Sequence, residues 1–163
     1  MTYLRAIAPK GLMCLMFLSE AASARADATA FIGANTTPAN RQVRGFAVGI
    51  GLLIVGFEFE YANTADDPTA VAPSLKTGSG NILLQTPVSF YGVQPYVTAG
   101  GGGYSETLGA HGDFGFALNT GGGVKVTLAG PLRVRVDYRV FKLGGGALHS
   151  PAHRIYAGLN LKF

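Results

Sequence analysis

The sequence predicts an all-β fold, an eight-stranded antiparallel up-and-down transmembrane β-barrel, and three observations carry that prediction. The 163 residues are 48% hydrophobic and only 13% charged, roughly half the ~25% charged fraction usual in soluble domains. No stretch approaches the ~20 consecutive apolar residues that a spanning helix requires. From Ala28 onward, apolar residues recur at every second position, which is the period of a strand. An apolar chain without a spanning helix, dealt out in this way, lays its apolar surface along one face of a sheet. The same apolar content excludes a disordered chain.

The first segment, residues 1–26, is set apart as a secretory signal peptide. Arg5 and Lys10 precede the short apolar run Gly11–Leu18, and the small residues Ala22-Ser23-Ala24 and Ala24-Arg25-Ala26 both fit an A-x-A cleavage pattern. The barrel is expected over residues 27–163. Those 137 residues hold 10 Lys+Arg against 8 Asp+Glu, so the basic pI of 9.4 belongs largely to the leader and gives no argument for nucleic acid. Cys14, the single cysteine, lies in the leader. The remainder therefore has neither a disulfide nor a thiolate metal site.

Strands are expected over 28–37, 45–52, 54–64, 77–86, 93–104, 114–128, 132–142 and 154–163. Parity is blurred in the first and fourth of these. In the second, Phe46, Val48, Ile50 and Leu52 alternate with Ala47, Gly49 and Gly51. In the third, Val55, Phe57, Phe59 and Tyr61 alternate with Gly56, Glu58, Glu60 and Ala62. The fifth carries the Gly100–Gly103 run. In the sixth, Phe116, Leu118, Val124, Val126 and Leu128 oppose Asn119, Gly121, Gly123, Lys125 and Thr127. The seventh is the clearest, with Leu132, Val134, Val136, Tyr138 and Val140 against Arg133, Arg135, Asp137 and Arg139. The eighth sets Ile155, Ala157, Leu159, Leu161 and Phe163 against Tyr156, Gly158, Asn160 and Lys162. Connections alternate between long (38–44, 65–76, 105–113, 143–153) and short (around Leu53, 87–92, 129–131), the rhythm of an up-and-down barrel.

Alternation does not by itself say which face is inside. The polar face here is mostly glycine, alanine, asparagine and threonine, too bland for a water-facing wall. Its few charges are of both signs at mid-strand, which suits pairing across a narrow lumen. Phe46, Tyr61, Phe114, Phe116 and Phe163 sit on the apolar face near strand ends, like the aromatic girdles of membrane barrels. The apolar face is therefore expected to meet lipid, where only a closed barrel satisfies the backbone of a sheet.

These segments resemble the small eight-stranded outer-membrane β-barrels of Gram-negative bacteria, the OmpA/OmpX/opacity-like class. The resemblance covers the region after the leader and rests on Phe57–Tyr61, Gln94–Gly102, Asn119–Val124, Arg135–Arg139 and Ala157–Phe163. It implies an outer-membrane location and contact with outer-membrane lipid and lipopolysaccharide. It also implies insertion by the barrel assembly machinery, with Phe163 as the C-terminal insertion signal; no periplasmic domain is expected after Phe163. Activity is not implied, because proteins of this fold differ widely in function.

With the apolar parity outward, Glu58, Glu60, Lys125, Arg133, Arg135, Asp137, Arg139 and Lys162 point into the lumen. Eight strands enclose only enough room for side chains to fill, and charges there must pair. Glu58 and Glu60 are expected to meet Arg133, Arg135 or Arg139 across the ring and to prop the barrel shut. The function expected is a structural, envelope or surface-interaction role for a monomer, with an anion-preferring, porin-like pore as the alternative. A lipid-A-modifying acyl hydrolase or transferase is a third reading. However, His111, His149 and His153 fall in expected outer loops, and the adjacent His149 and Ser150 would face opposite ways in a strand, so no catalytic residue is assigned. No metal site or cofactor is expected, since neither the scattered histidines nor Asp66, Asp67 and Asp113 show a ligand spacing. The glycine runs do not open helices as phosphate loops do. Arg41, Arg44, Lys76, Lys142 and Arg154, with Asp66, Asp67, Glu106 and Asp113, are expected in loops.

Overall fold

The computed structural model describes residues 25–163, of which eight strands make up most. They are β1 (Arg25–Asn35), β2 (Arg41–Leu52), β3 (Val55–Thr64), β4 (Ser74–Gln85), β5 (Val93–Leu108), β6 (His111–Ala129), β7 (Leu132–Leu143) and β8 (Ala152–Lys162). Each pairs antiparallel with the next, and β8 pairs with β1 to close the barrel. Closure leaves no unpaired strand edge, the one way a sheet can sit in lipid. The expected signal peptide lies outside the described residues except for Arg25 and Ala26, which pair with Gly51 and Ile50 in β1.

Alternation decides the faces as expected. Arg135 and Arg139 are fully buried inside, whereas Val97 and Leu159 on the outer wall are 58% and 56% exposed. Phe46, Tyr61, Phe114, Phe116 and Phe163 are all exposed. Phe46 and Tyr61 face one another on paired strands with ring centroids 5.8 Å apart. The wall is therefore largely apolar outside, with most of the charged side chains turned inside, the inverse of a soluble barrel.

The connections sort into two ends. Leu53–Ile54, residues 86–92 and Gly130–Pro131 lie at the same end as Arg25 and Lys162; residues 36–40, 65–73, 109–110 and 144–151 lie at the other. The expected long connection over 105–113 is replaced by a two-residue turn, Gly109–Ala110, between strands of 16 and 19 residues. Ser105-Glu106-Thr107 has the polarity of a loop, but Glu106 turns inward and is buried while Ser105 and Thr107 turn to the wall. Gly109, at φ +58°, supplies the left-handed residue that so tight a turn needs. The connection expected over 38–44 likewise shrinks to 36–40, because Arg41 and Val43 are inward strand residues.

Candidate functional site

The lumen is where the sequence concentrates its chemistry. Glu58 and Glu60 come from β3; Arg133, Arg135, Asp137 and Arg139 come from β7; Lys125 comes from β6 and Arg154 from β8. Period-two alternation turns each of them inward, and all are at most 7% exposed. Strand sterics make room for them. Arg139 lies opposite Gly121 and Asp137 opposite Gly123 on β6, while Arg135 lies opposite Gly158 on β8. At Gly123 a Cβ would overlap the Val136 carbonyl, so the close approach there requires glycine.

Two linked clusters result. In the middle of the lumen Arg135 pairs with Glu58 and, at 2.9 Å, with Asp137. Arg139 reaches Glu58 at 2.8 Å, Asp137 at 3.0 Å and Glu60 at 3.3 Å. Glu60 also takes Arg154 at 3.2 Å and accepts the Tyr156 hydroxyl at 2.8 Å. The Tyr96 hydroxyl donates to Asp137 and accepts from Arg135 Nε at 2.6 Å. Nearer the short-turn end, Asp27 binds Lys125 Nζ at 2.6 Å and Arg133 at 3.2 Å, and Arg133 Nε donates to Asn160 at 2.7 Å. One small cavity on that side, lined by Asp27, Gly51, Leu83, Gln85 and Lys125 among others, measures about 10 Å³, room for about one water molecule.

Toward the longer loops the filling becomes apolar, with Leu75, Tyr104, Ala117, Phe141, Leu143 and Ala152 packed together. The Arg154 guanidinium lies 4.3 Å over the Phe141 ring and so joins the ionic layer to this plug. Segment 144–151 folds over the plug. Leu148 N–H donates to Glu106 at 2.7 Å, and His149 Nε2 lies 3.0 Å from the Val71 carbonyl.

Seven of the eight residues expected in the lumen meet there in ion pairs. Lys162 does not: it is half-buried at the end of β8, opposite Asp27, and joins no ion pair among the described residues. Arg133 pairs with Asp27 and not with the β3 glutamates, because two residues along β7 carry it past their level. Asp27 is absent from the expected members because the first strand was expected to begin at residue 28, whereas β1 begins at Arg25. Arg41, Glu106 and Arg154, expected in loops, are buried strand residues. The signal for Arg154 was present, because it shares parity with Tyr156, Gly158 and Asn160.

Two of the histidines expected in loops are also in strands. His111 opens β6, 3.4 Å from Glu106, and His153 in β8 sets Nδ1 2.6 Å from the Tyr138 hydroxyl. Ser150 Oγ is occupied by the Leu143 backbone, accepting its N–H at 3.0 Å.

Neither the known protein-family models nor the curated proteins include a match to the chain. Solved structures do match. The N-terminal β-barrel domain of Pseudomonas aeruginosa OprF aligns with a TM-score of 0.63 at 15% identity, over 85% of this chain and 97% of that one. The chain has the fold of the small eight-stranded outer-membrane β-barrels. Neisserial surface protein A matches equally well, with a TM-score of 0.63 at 18% identity over 86% of this chain and 96% of that one. The attachment invasion locus protein Ail of Yersinia pestis follows at 0.55 and 10% identity, over 86% and 99%. At these identities the likeness is one of fold. The apolar outer wall agrees with it, since lipid is the surrounding that such a wall requires.

Proposed function

We propose that the chain is a monomeric, non-conducting and non-enzymatic wall protein of the outer membrane, which supports the envelope and presents its longer loops to the outside. The observation that carries this reading is the double closure of the lumen: a layer of paired charges in the middle and an apolar plug above it. Each ion in the layer holds more than one partner, as burial in so narrow a space demands. On this reading the two layers leave no continuous water path. The reading is non-enzymatic because the strand histidine His153 is engaged by Tyr138 and the serine beside His149 by the backbone. Phe163, 74% exposed beyond β8, is the proposed handle for the insertion machinery, a role that rests on the resemblance of the terminal strand.

Proteoliposome swelling tests the reading. Vesicles carrying the refolded barrel should take up small sugars no faster than protein-free vesicles. Uptake that scales with the amount of barrel would contradict a closed lumen.

A further inference from the structure

The outer wall carries a second, unassigned feature. Every charged side chain on the outward face of the strands is a cation: Arg44 on β2, Lys76 on β4 and Lys142 on β7, all exposed and all near the long-loop end. Arg44 and Lys76 share one row of the sheet, Arg44 opposite Asn63 and Asn63 opposite Lys76. Two strand spacings of ~4.8 Å therefore separate the two cations, about 10 Å. Neither makes an ion pair among the described residues.

Directly below this row, toward the short-turn end, lies an open apolar groove of about 630 Å³ on the same strands. Val48, Ile50, Phe57, Phe59 and Ile82 form its sides, and Gly80 lies in it. Space is open where a Cβ would stand on Gly80, so the wall dips there. The Phe46–Tyr61 pair lies between groove and cations. From the Val48 row to the Arg44 row is four residues, ~13 Å along the strands at roughly 3.3 Å per residue. Two cations at the head of an apolar trough, with no carboxylate on the outward face of the strands to compete, match one kind of occupant by charge and by shape. The occupant is an amphiphile with an anionic head and a long apolar tail.

We infer that the β2–β4 wall is a binding site for a membrane phospholipid of net negative head charge, its phosphate held between Arg44 and Lys76 and an acyl chain laid in the groove over Gly80. The partner is taken at the lipid face and is independent of whether the lumen conducts. Asn63 between the cations and the Tyr61 hydroxyl below them supply further donors for phosphate oxygens.

The chain has no tryptophan, so Phe59→Trp places a single reporter in the groove. The folded variant is reconstituted in phosphatidylcholine vesicles containing equal mole fractions of either dibrominated phosphatidic acid or dibrominated phosphatidylcholine. Phosphatidic acid should quench the reporter more strongly. The preference should fall on the order of fivefold for loss of either cation, vanish in Arg44→Ala/Lys76→Ala, and persist in Lys142→Ala, which removes the same charge from a different wall. Heat-modifiable gel migration of each variant confirms that the barrel is folded. Equal quenching by the two lipids overturns the inference. So does a preference that survives the double variant or falls equally with Lys142→Ala, since either would mean general surface attraction. Protection from both quenchers together with a cross-linked dimer overturns it as well, because a second copy would then fill the groove.

Discussion

Arg135 and Arg139 are the side chains around which the interior closes, and both are wholly buried. Between them they engage Glu58, Glu60 and Asp137, so removing one cation leaves buried carboxylates without a partner. Breaking a buried pair in this way costs about 3–5 kcal/mol. Arg135→Ala should lower the urea midpoint for loss of the fast-migrating folded form accordingly, whereas Lys142→Ala on the exposed wall should leave it nearly unchanged. At the loop end, Asp67 gives a pH signature. Its Oδ1 accepts the Thr69 hydroxyl at 2.6 Å, then the Thr69 and Ala70 N–H groups at 3.0 and 3.3 Å. The Thr69 hydroxyl above all, and then the Ala70 N–H, hold the carboxyl below its usual range. A depressed carboxyl contributes its stability above the unfolded value, and that contribution is lost as pH falls through the lower folded one. The Thr69 and Ala70 amide resonances should therefore titrate with a midpoint below that of an ordinary aspartate and stay flat in Asp67→Asn; a midpoint at or above the ordinary value would contradict the cap.

At the scale of elements, the strands are held at two kinds of glycine position, and these should respond oppositely to alanine. At Gly123 on β6 a Cβ would run into the Val136 carbonyl and lie 2.6 Å from the Tyr96 hydroxyl. Gly123→Ala should therefore sharply reduce the yield of folded barrel on gel migration. At Gly78 on β4 nothing lies within 4 Å of the added carbon, and Gly78→Ala should fold as the parent does. Strand identity was legible from period two wherever large apolar residues marked one face, as at Leu132–Val140. It blurred where small residues occupied both faces, as in β1, and Asp27 was missed because that strand was expected to begin at residue 28. Polarity misled at Ser105-Glu106-Thr107, because a lumen-facing glutamate has the same local signature as a loop glutamate; only its partners, Leu148 in segment 144–151 and His111 on the neighbouring strand, set it apart. Parity turned the lumen charges to one face and set Glu58 and Glu60 against Arg133, Arg135 or Arg139; in the structure Arg135 and Arg139 take them and Arg133 takes Asp27. Partner choice depends on how far each strand is shifted around the ring, and no single strand records that shift.

For the molecule as a whole, the low charge content and the high hydrophobicity have one origin. The apolar residues form the lipid-facing wall, and most of the charge is taken up within the lumen, which eight strands leave only wide enough for side chains to fill. The structure adds two acids and two bases to the expected lumen set, Asp27 and Glu106 with Arg41 and Arg154, and leaves Lys162 half-buried at the strand end, so the excess of cations falls from two to one. A lumen of that sign would prefer anions if it were open, so conductance is the decisive property. The most direct test is single-channel recording of the refolded barrel in a planar bilayer. The closed lumen predicts no stable steps from the parent protein. Long-lived, anion-selective steps that disappear in Arg135→Ala would contradict it.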